Sequence, residues 1–398
     1  MTRLPKAVSS RRRPLRSVGL RSGTGRVLLA AGLLVGAVLP LAGCAGSSTT
    51  RTGRGPAGEL MPIPDAAYAE LGFRRDWKGF PFVTRGQRIQ EVLLGEDLIF
   101  VRESGSGVSA LDATNGEQRW SAILGTRLTK FVSLRRGVHR GRPVVFASAE
   151  ADVFALDIKT GNQIDRQSYE KVVNAGPVVL GSTLIYGTSS GEVLAHTLLT
   201  GSKLWGHDLP GTITQDPILV GSAVGTISSD GDVVFLDAAR GSLWARTQIF
   251  GNAGSDPVAA GNLFVVASVD QSLWAFEPQT GRVVWRKRTA APITSQPVVH
   301  NGVVYCSIPG QGLTAFEAST GREIWSNPEV EGRAVGLRAG QLIVWGQPYA
   351  YAVSPVNGTV ATRVEIPAVS QLKMDSFEEG NLYAVDPRGA VARFVPAR

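Results

Sequence analysis

The sequence predicts an all-β protein, an eight-bladed β-propeller of four-stranded antiparallel blades. Three observations support this fold: a short β-prone phrase recurs about every 40 residues, a glycine follows the early copies at a constant distance, and a tryptophan follows most of those glycines. Repeats of this length with four short strands each are typical of propellers. A linear solenoid is the alternative, but it would need capping repeats, which we do not find.

The recurring phrase is Val-Phe-Ala-Leu-Asp in its clearest copy, and it is short, apolar and rich in β-forming residues. Its eight copies start at Val108, Val153, Val193, Val233, Leu273, Leu313, Ala350 and Ala390. Successive starts are 45, 40, 40, 40, 40, 37 and 40 residues apart. A turn such as Ser229-Asp230-Gly231 precedes the phrase, which we therefore interpret as a strand entered from a hairpin. Its third residue is alanine in every copy except the fourth, where Phe235 replaces it.

A second turn follows each of the first seven phrases and contains a glycine, which accepts positive φ without a steric clash. The glycines are Gly116, Gly161, Gly201, Gly241, Gly281, Gly321 and Gly358. A tryptophan comes three or four residues after most of them, on what must be the next strand. We expect these rings to dock between neighbouring blades: Trp120, Trp205, Trp244, Trp285 and Trp325.

Recurring prolines open the remaining part of each unit. They stand forty residues apart at Pro177, Pro217, Pro257 and Pro297. Each opens a segment that scans as strand, turn and strand, which brings the unit to four strands. The eighth unit reaches Arg398 with no room for its fourth strand. Residues 71–77 end in Trp77 and are predicted to supply that strand, which would close the ring and remove an exposed sheet edge.

The first 43 residues predict an exported lipoprotein. A basic segment precedes an apolar run, Val27–Leu41, that is short for a membrane span and typical of a signal peptide. The following Leu41-Ala42-Gly43-Cys44 resembles the bacterial lipobox, so Cys44 is the predicted lipidated N-terminus. An uncleaved anchor with an incidental cysteine is the alternative. We divide the chain into a signal peptide at 1–43, a lipidated N-terminus with a flexible tether at 44–70, and a propeller at 71–398.

Charge and cysteine content exclude several classes of function. The leader holds eight of the 41 Lys and Arg residues and no acid, so 33 bases and 33 acids remain in the rest of the chain. We therefore expect no nucleic-acid partner. Cys44 and Cys306 form no useful disulfide pair, and the four histidines are dispersed, so we predict no metal site. We find no catalytic constellation and predict no cofactor.

One insertion breaks the period. Unit two has five extra residues in a segment that we expect to be a loop between its first two strands. The candidate partner-binding residues of this loop are Arg135, Arg136, His139, Arg140 and Arg142. Acidic residues instead collect in the turns before the phrases, among them Asp152, Glu192 and Asp232, and these turns should share the opposite face. Solvated surface charge is the ordinary explanation of both features.

The phrase Ala-Phe-Glu-x-x-Thr-Gly-Arg-x-x-Trp, at 275–285 and again at 315–325, closely resembles the tryptophan-docking motif of PQQ-like propeller repeats. The resemblance covers about residues 71–398 and implies the propeller fold. With the lipobox and the short blades, it is strongest to the branch that serves the bacterial outer-membrane β-barrel assembly machinery. The other branch comprises quinoprotein dehydrogenases, which hold pyrroloquinoline quinone and calcium in the central funnel, usually beneath a pair of adjacent cysteines. This chain has no such pair.

The resemblance implies a non-enzymatic scaffold, held by lipid at the periplasmic face of the outer membrane, with envelope proteins as partners and a role in the assembly of outer-membrane β-barrels. Ala45 after the lipidated cysteine permits delivery to that membrane. A quinoprotein oxidoreductase and an envelope ligand-binding lipoprotein are the alternatives. Fold alone does not decide between them.

Overall fold

A computed structural model describes residues 65–397. This part of the chain contains thirty-two strands and one short helix, joined by turns and loops. The strands form eight separate four-stranded sheets, and every neighbouring pair is antiparallel. The predicted eight-bladed propeller of four-stranded antiparallel blades is therefore confirmed. Cys44, the signal peptide and most of the predicted tether lie outside the described residues.

Each of blades 1 to 7 takes its four strands in chain order. Blade 1 comprises β2 (Ile89–Leu93), β3 (Leu98–Glu103), β4 (Gly107–Asp112) and β5 (Gln118–Ile123). Blade 2 comprises β6 (Phe131–His139), β7 (Arg142–Ala149), β8 (Asp152–Asp157) and β9 (Gln163–Ser168). Blade 3 comprises β10 (Val178–Leu180), β11 (Thr183–Gly187), β12 (Glu192–Thr197) and β13 (Ser202–Asp208). Blade 4 comprises β14 (Ile218–Val220), β15 (Ala223–Ile227), β16 (Asp232–Asp237) and β17 (Leu243–Gln248).

The later blades repeat the pattern. Blade 5 comprises β18 (Val258–Ala260), β19 (Leu263–Ser268), β20 (Ser272–Phe276) and β21 (Val283–Arg288). Blade 6 comprises β22 (Val298–His300), β23 (Val303–Ile308), β24 (Gly312–Glu317) and β25 (Glu323–Asn327). Blade 7 comprises β26 (Arg333–Arg338), β27 (Gln341–Gly346), β28 (Tyr349–Val353) and β29 (Val360–Glu365). Blade 8 contains β30 (Gln371–Met374), β31 (Leu382–Asp386) and β32 (Ala390–Pro396).

The fourth strand of blade 8 comes from the other end of the propeller sequence. Strand β1 (Phe73–Gly79) pairs antiparallel with β32, and the sheet order is β1-β32-β31-β30. Helix α1 (Asp65–Glu70) precedes β1 and packs against blades 7 and 8. Its Tyr68 stacks on Phe394 with ring centroids 3.8 Å apart. No helix in residues 65–397 has the length and apolar character that a membrane crossing requires.

The hydrophobic core is divided among the interfaces between blades. Eight buried clusters are present in the described residues, and each draws side chains from two adjacent blades. The cluster between blades 8 and 1, for example, joins Trp77 and Tyr383 to Ile99. Successive side chains of a strand point to opposite faces of its sheet, so a blade that is covered on both faces must be apolar on both.

The first strand of every blade ends its sheet, and the first strands of neighbouring blades contact one another. They therefore line a space that we call the central channel. Blades 8 and 1 are linked there by hydrogen bonds from Lys373 Nζ to the Val92 carbonyl, 2.8 Å, and from Gln371 Nε2 to the Gln90 carbonyl, 3.2 Å. Polar side chains on these strands converge from distant parts of the sequence.

Candidate functional site

The docking tryptophans lie on the fourth strands and reach the next blade. The indole N–H of Trp285 donates to the Ala318 carbonyl at 2.8 Å, and that of Trp325 donates to the Pro355 carbonyl at 2.8 Å. Trp77 and Trp120 make the equivalent bonds at 3.1 Å, to Ala113 and Ile158. The acceptors belong to the turn after the third strand of the next blade, so each indole binds the following repeat.

The turn glycines make room for these rings. A Cβ atom added to Gly321 would lie 2.6 Å from the Trp285 ring, and one added to Gly161 would lie 2.4 Å from Trp120. Both glycines have positive φ, so any other residue would be strained as well as crowded. Trp205 packs on Gly241 in the same way, although its buried Nε1 has no hydrogen-bond partner among the described residues.

Trp244 is placed differently from the prediction. The fourth strands carry a β-bulge, and the docking tryptophans directly follow the bulged residue, as Trp285 follows Val284. In blade 4 the residue that pairs with the third phrase position is Ala245, and Trp244 is itself the bulged residue. Trp244 is half-buried and packs against the cluster between blades 4 and 5, but it does not stand at the register of the other docking tryptophans. Ala245 stands there instead, and Phe235 replaces the usual alanine opposite Ala245.

Blade 4 inverts the sizes of the three side chains in this row. Blade 5 aligns Val265, Ala275 and Trp285, which are large, small and large. Blade 4 instead aligns Gly225, Phe235 and Ala245, which are small, large and small. Phe235 is fully buried and meets Phe264 edge to face, with centroids 5.2 Å apart. The volume missing at the tryptophan position is thus supplied from the neighbouring strand.

The candidate partner loop of blade 2 is predicted to connect the first two strands, but most of its residues instead belong to those strands, which form a β-hairpin. Arg135, Arg136 and His139 belong to β6, and Arg142 begins β7. The turn is formed by Arg140 and Gly141, with φ of 50° and 77°. Two consecutive positive φ values are typical of the tight hairpin turn that matches strand twist. The inserted residues therefore extend the two paired strands of the sheet.

The structure separates the five candidate residues of this hairpin. Arg136, Arg140 and Arg142 are exposed, whereas His139 is 2% exposed and its Nε2 lies 3.1 Å from Asp165 Oδ2. Arg135 points into the central channel. The five residues therefore lie in three environments: the exposed surface, the buried contact of His139 with Asp165, and the central channel.

A polar network replaces the docking tryptophan between blades 2 and 3. Asp165 stands at the tryptophan position, opposite Ala155. The Gln167 amide donates to Asp165 at 2.9 Å and lies 3.1 Å from His196 Nε2. With the His139 contact, two histidines are joined through one carboxylate and one amide. Burial lowers the pKa of His196, which favours its neutral form.

The central channel contains a chain of charged contacts that sequence analysis did not find. Arg135 donates to Asp216 and, at 3.2 Å, to the Pro177 carbonyl. Its guanidinium also lies 3.7 Å from Glu91, which accepts a 3.0 Å hydrogen bond from Arg102. One arginine thus connects blades 1, 2, 3 and 4.

Backbone amides complete the binding of these carboxylates. The Gly176 amide donates to Asp216 at 2.5 Å, and the Asp216 amide donates to Asp256 at 3.0 Å. The donors are 40 residues from their acceptors, so the same bond recurs between successive blades. Burial raises the pKa of Asp216 to about 6, although Arg135 opposes the shift. The recurring prolines were the available signal, because Gly176, Asp216 and Asp256 each precede one of them.

Two cations on blades 7 and 8 face the same channel. Burial lowers the pKa of Lys373, and repulsion by Arg333 and Arg135 lowers it further, against the attraction of Glu91. A cavity of about 630 Å³ adjoins Arg333 and is also lined by Tyr349 and Tyr351. A second cavity, of about 450 Å³, lies beside Arg135, Arg136 and Asp216.

The acidic turns are mostly neutralised within their own blades. Asp232 binds Arg246 at 2.6 Å, and Glu192 binds Lys203 at 2.6 Å. Asp152 makes a similar pair with Arg166 at 3.0 Å. The cations are on fourth strands and reach diagonally to the acids at the start of third strands, since Arg246 pairs with Val234 and not with Asp232 itself. These acids are therefore cross-strand partners first and offer little free negative charge.

The channel residues do not fit pyrroloquinoline quinone held with calcium. Glu91 and Asp216 are already bound by arginines and backbone amides. Residues 65–397 contain no group of three or more His, Cys, Asp or Glu side chains that could share a metal ion. Cys306, the one cysteine in this range, is 2% exposed and lies within blade 6.

Four-stranded blades joined by tryptophans that bind the next repeat define a β-propeller of the PQQ-like class. The sequence profile of the family described as outer membrane protein assembly factor BamB matches residues 81–245, 168–285 and 243–393. These overlapping matches cover most of the chain, and the protein therefore belongs to that family.

Solved structures of other propellers are similar in fold. The computationally designed Ika8 protein has a TM-score of 0.67 at 13% identity, over 81% of this chain and 99% of its own. BamB from Moraxella catarrhalis has a TM-score of 0.63 at 17% identity, over 81% and 97%. Quinohemoprotein alcohol dehydrogenase from Comamonas testosteroni has a TM-score of 0.63 at 14% identity, over 83% and 77%. Such identities show a common fold alone, and no curated protein sequence matches significantly.

Proposed function

We propose that the protein is a lipid-anchored, non-enzymatic adaptor of the bacterial envelope that binds other proteins during assembly of outer-membrane β-barrels. The observation that carries the proposal is the match of the BamB family profile along residues 81–393. The lipobox ending in Cys44 supports an anchor at the periplasmic face of the outer membrane.

The chemistry of the channel supports binding rather than catalysis. Two channel carboxylates, Glu91 and Asp216, already accept hydrogen bonds from arginines and backbone amides inside the protein. The structure holds these groups between blades, where they stabilise the ring. Partner binding then falls to the loops and hairpins on the two faces.

Affinity purification from the native membrane tests the proposal. The full-length protein would carry a C-terminal tag, be cross-linked in cells, and be recovered in mild detergent for mass spectrometry. We expect subunits of the β-barrel assembly machinery to be enriched over those recovered with a Cys44→Ser variant, which lacks the acylated thiol. Recovery of other envelope proteins without any of those subunits would reject the assembly role.

A thermal-shift measurement separates the oxidoreductase alternative. Pyrroloquinoline quinone and calcium are added together to the purified protein, and we expect no change in its melting temperature. Stabilisation that depends on both additions would contradict the adaptor proposal, because a ligand that binds the folded state raises its stability.

A further inference from the structure

The blade 2 hairpin, residues 131–149, extends beyond the corresponding hairpins of its neighbours. The first strands β10, β14, β18 and β22 have three residues each, whereas β6 has nine. The residues of the two blades can be compared through their pairing partners. Gly137 pairs through Val144 with Asp157, the last residue of β8, and Leu180, the last residue of β10, pairs through Thr183 with Thr197, the last residue of β12, so Gly137 and Leu180 occupy equivalent positions. Val138 and His139 therefore continue the strand past its neighbour, by about 7 Å at the usual rise per residue.

The hairpin is held in one position by the propeller. Buried His139 contacts Asp165, and Arg135 is bonded inside the channel. A Cβ atom on Gly137 would lie 2.6 Å from Phe146 and 3.0 Å from Val179, so the strand packs closely there. The Arg136 guanidinium lies 5.9 Å from the centroid of the Phe100 ring in blade 1. Such preorganisation reduces the entropy lost when a partner binds.

The exposed arginines of the hairpin leave it positively charged, although Asp157 partly offsets the charge of Arg142. Arg136, Arg140 and Arg142 are exposed, and within residues 65–397 none of them forms an ion pair. Val138, between two of these arginines in sequence, is 51% exposed. Cations near the acidic turns of the opposite face, by contrast, are paired within their blades, as Arg246 of β17 is with Asp232. An apolar side chain among unpaired guanidinium groups suits a partner that carries carboxylates.

The backbone of the hairpin offers a second element of recognition. Strand β6 ends its sheet, so within residues 65–397 no strand is hydrogen-bonded to its other edge, although β2 and β10 contact β6. In the described part of the chain, the backbone from Gly137 to Arg140 forms hydrogen bonds only within the hairpin. The cavity of about 450 Å³ meets this strand at Arg135 and Arg136, and its lining from the other blades includes Asp216 and Asp256. An extended chain could lie there and add a strand to the sheet.

We infer that the blade 2 hairpin is a docking site for an extended, acidic segment of a partner protein, which pairs with the free edge of β6 while its carboxylates bind Arg136, Arg140 and Arg142. This inference rests on the proposed adaptor function and specifies the chemistry of the partner. The peptide assay below does not involve the assembly machinery, so its failure would leave the adaptor proposal intact. Failure of the membrane purification would likewise leave the hairpin site intact.

Three labelled peptides of about ten residues, long enough for one strand, provide the probes. Glu and Val alternate in the first, Lys and Val in the second, and Glu and Pro in the third. The third has the acidic charge but lacks donors at its proline positions, so it pairs poorly with a strand edge. We expect fluorescence anisotropy to detect binding of the Glu-Val peptide alone, weakening as salt increases.

The variant Arg140→Glu/Arg142→Glu should weaken binding of the Glu-Val peptide about tenfold or more, because two attractions become repulsions. The matched control is Arg74→Glu/Arg288→Glu, which changes net charge equally at two exposed arginines of blades 8 and 5. The control should change the dissociation constant less than about twofold, since its charges are distant from the hairpin.

Four results would overturn the inference. Equal weakening by the two double variants would show that net charge alone drives binding. Equal affinity for the Glu-Pro peptide would exclude strand addition. Absence of peptide binding together with hairpin-dependent binding to phosphatidylglycerol vesicles would assign the surface to lipid, and hairpin-dependent dimerisation in light scattering would assign it to a second copy of the chain.

Discussion

The inverted row of side chains in blade 4 makes a prediction about coupling between Phe235 and Ala245. These residues are paired across β16 and β17. Phe235→Ala should leave a cavity at a fully buried site and lower the free energy of unfolding by about 3–5 kcal/mol. Ala245→Trp should overpack against Phe235 and cost about 1–3 kcal/mol.

The double variant should recover part of both losses. It places alanine at the third phrase position and tryptophan opposite it, which is the arrangement of Ala275 and Trp285 in blade 5. The new indole would fill the space vacated by the phenylalanine. We therefore expect the double variant to be more stable than the sum of the single effects by about 2 kcal/mol, within the usual range for contacting residues.

Urea unfolding followed by far-UV circular dichroism measures this coupling without depending on tryptophan emission. Phe235→Ala combined with Trp325→Ala is the control pair, because Trp325 lies in blade 6 and belongs to a different cluster. Those effects should add within about 0.5 kcal/mol. Additivity of the Phe235 and Ala245 changes would refute the exchange of volumes between the two strands.

The remaining predictions concern docking, pH and closure. Trp285→Ala should lower the free energy of unfolding in urea by about 3–5 kcal/mol, because it removes a buried ring with its hydrogen bond. Trp244→Ala, at the half-buried bulge, should lower it by less than about 1.5 kcal/mol. Equal losses would contradict the assignment of docking positions. Burial raises the pKa of Asp216 to about 6, so the stability that this residue contributes is complete below the unfolded pKa near 4 and is lost as pH rises through 6. The Asp216→Asn variant should therefore show a smaller decline in the free energy of unfolding between pH 4 and 7 than the wild type. An unchanged pH profile would refute this prediction. Lys78→Cys/Ala392→Cys, at paired positions of β1 and β32, should form a disulfide on oxidation that peptide mapping detects, and absence of the bond would contradict the closure of blade 8 by β1.

The repeat architecture could be predicted because most blades repeat the same local signals. The phrase, the turn glycine and the tryptophan all lie within a dozen residues, so their spacing survives in the linear sequence. The error at Trp244 has a visible cause: it follows Gly241 by three residues, whereas Trp285 follows Gly281 by four. The fourth residue after the glycine is Ala245, and the β-bulge makes that one-residue difference decisive.

The phrase of blade 8 shows the same limit of spacing. Its start was assigned to Ala390, which makes Ala392 the third residue. In the structure Trp77 pairs with Arg393, so the equivalent strand position is one residue later. Ala390, Val391 and Ala392 are all small, apolar and buried, so the sequence itself does not show which of them begins the phrase.

The channel network could not be predicted from local patterns. Arg135 and Asp216 are 81 residues apart, and only the convergence of first strands at the axis brings them together. The hairpin could have been predicted from the sequence, because Arg140-Gly141 suits a two-residue turn. The extra length indicated an insertion, but only pairing shows that it continues the sheet.

Quantitative mass spectrometry of outer membranes tests the adaptor role most directly. Cells that lack the gene are compared with cells that regain the wild-type gene, and β-barrel proteins are measured relative to other outer-membrane lipoproteins. An adaptor in barrel assembly predicts that the β-barrel fraction falls on deletion and recovers with the wild-type gene. An unchanged β-barrel fraction, in cells shown to have lost the protein, would contradict it.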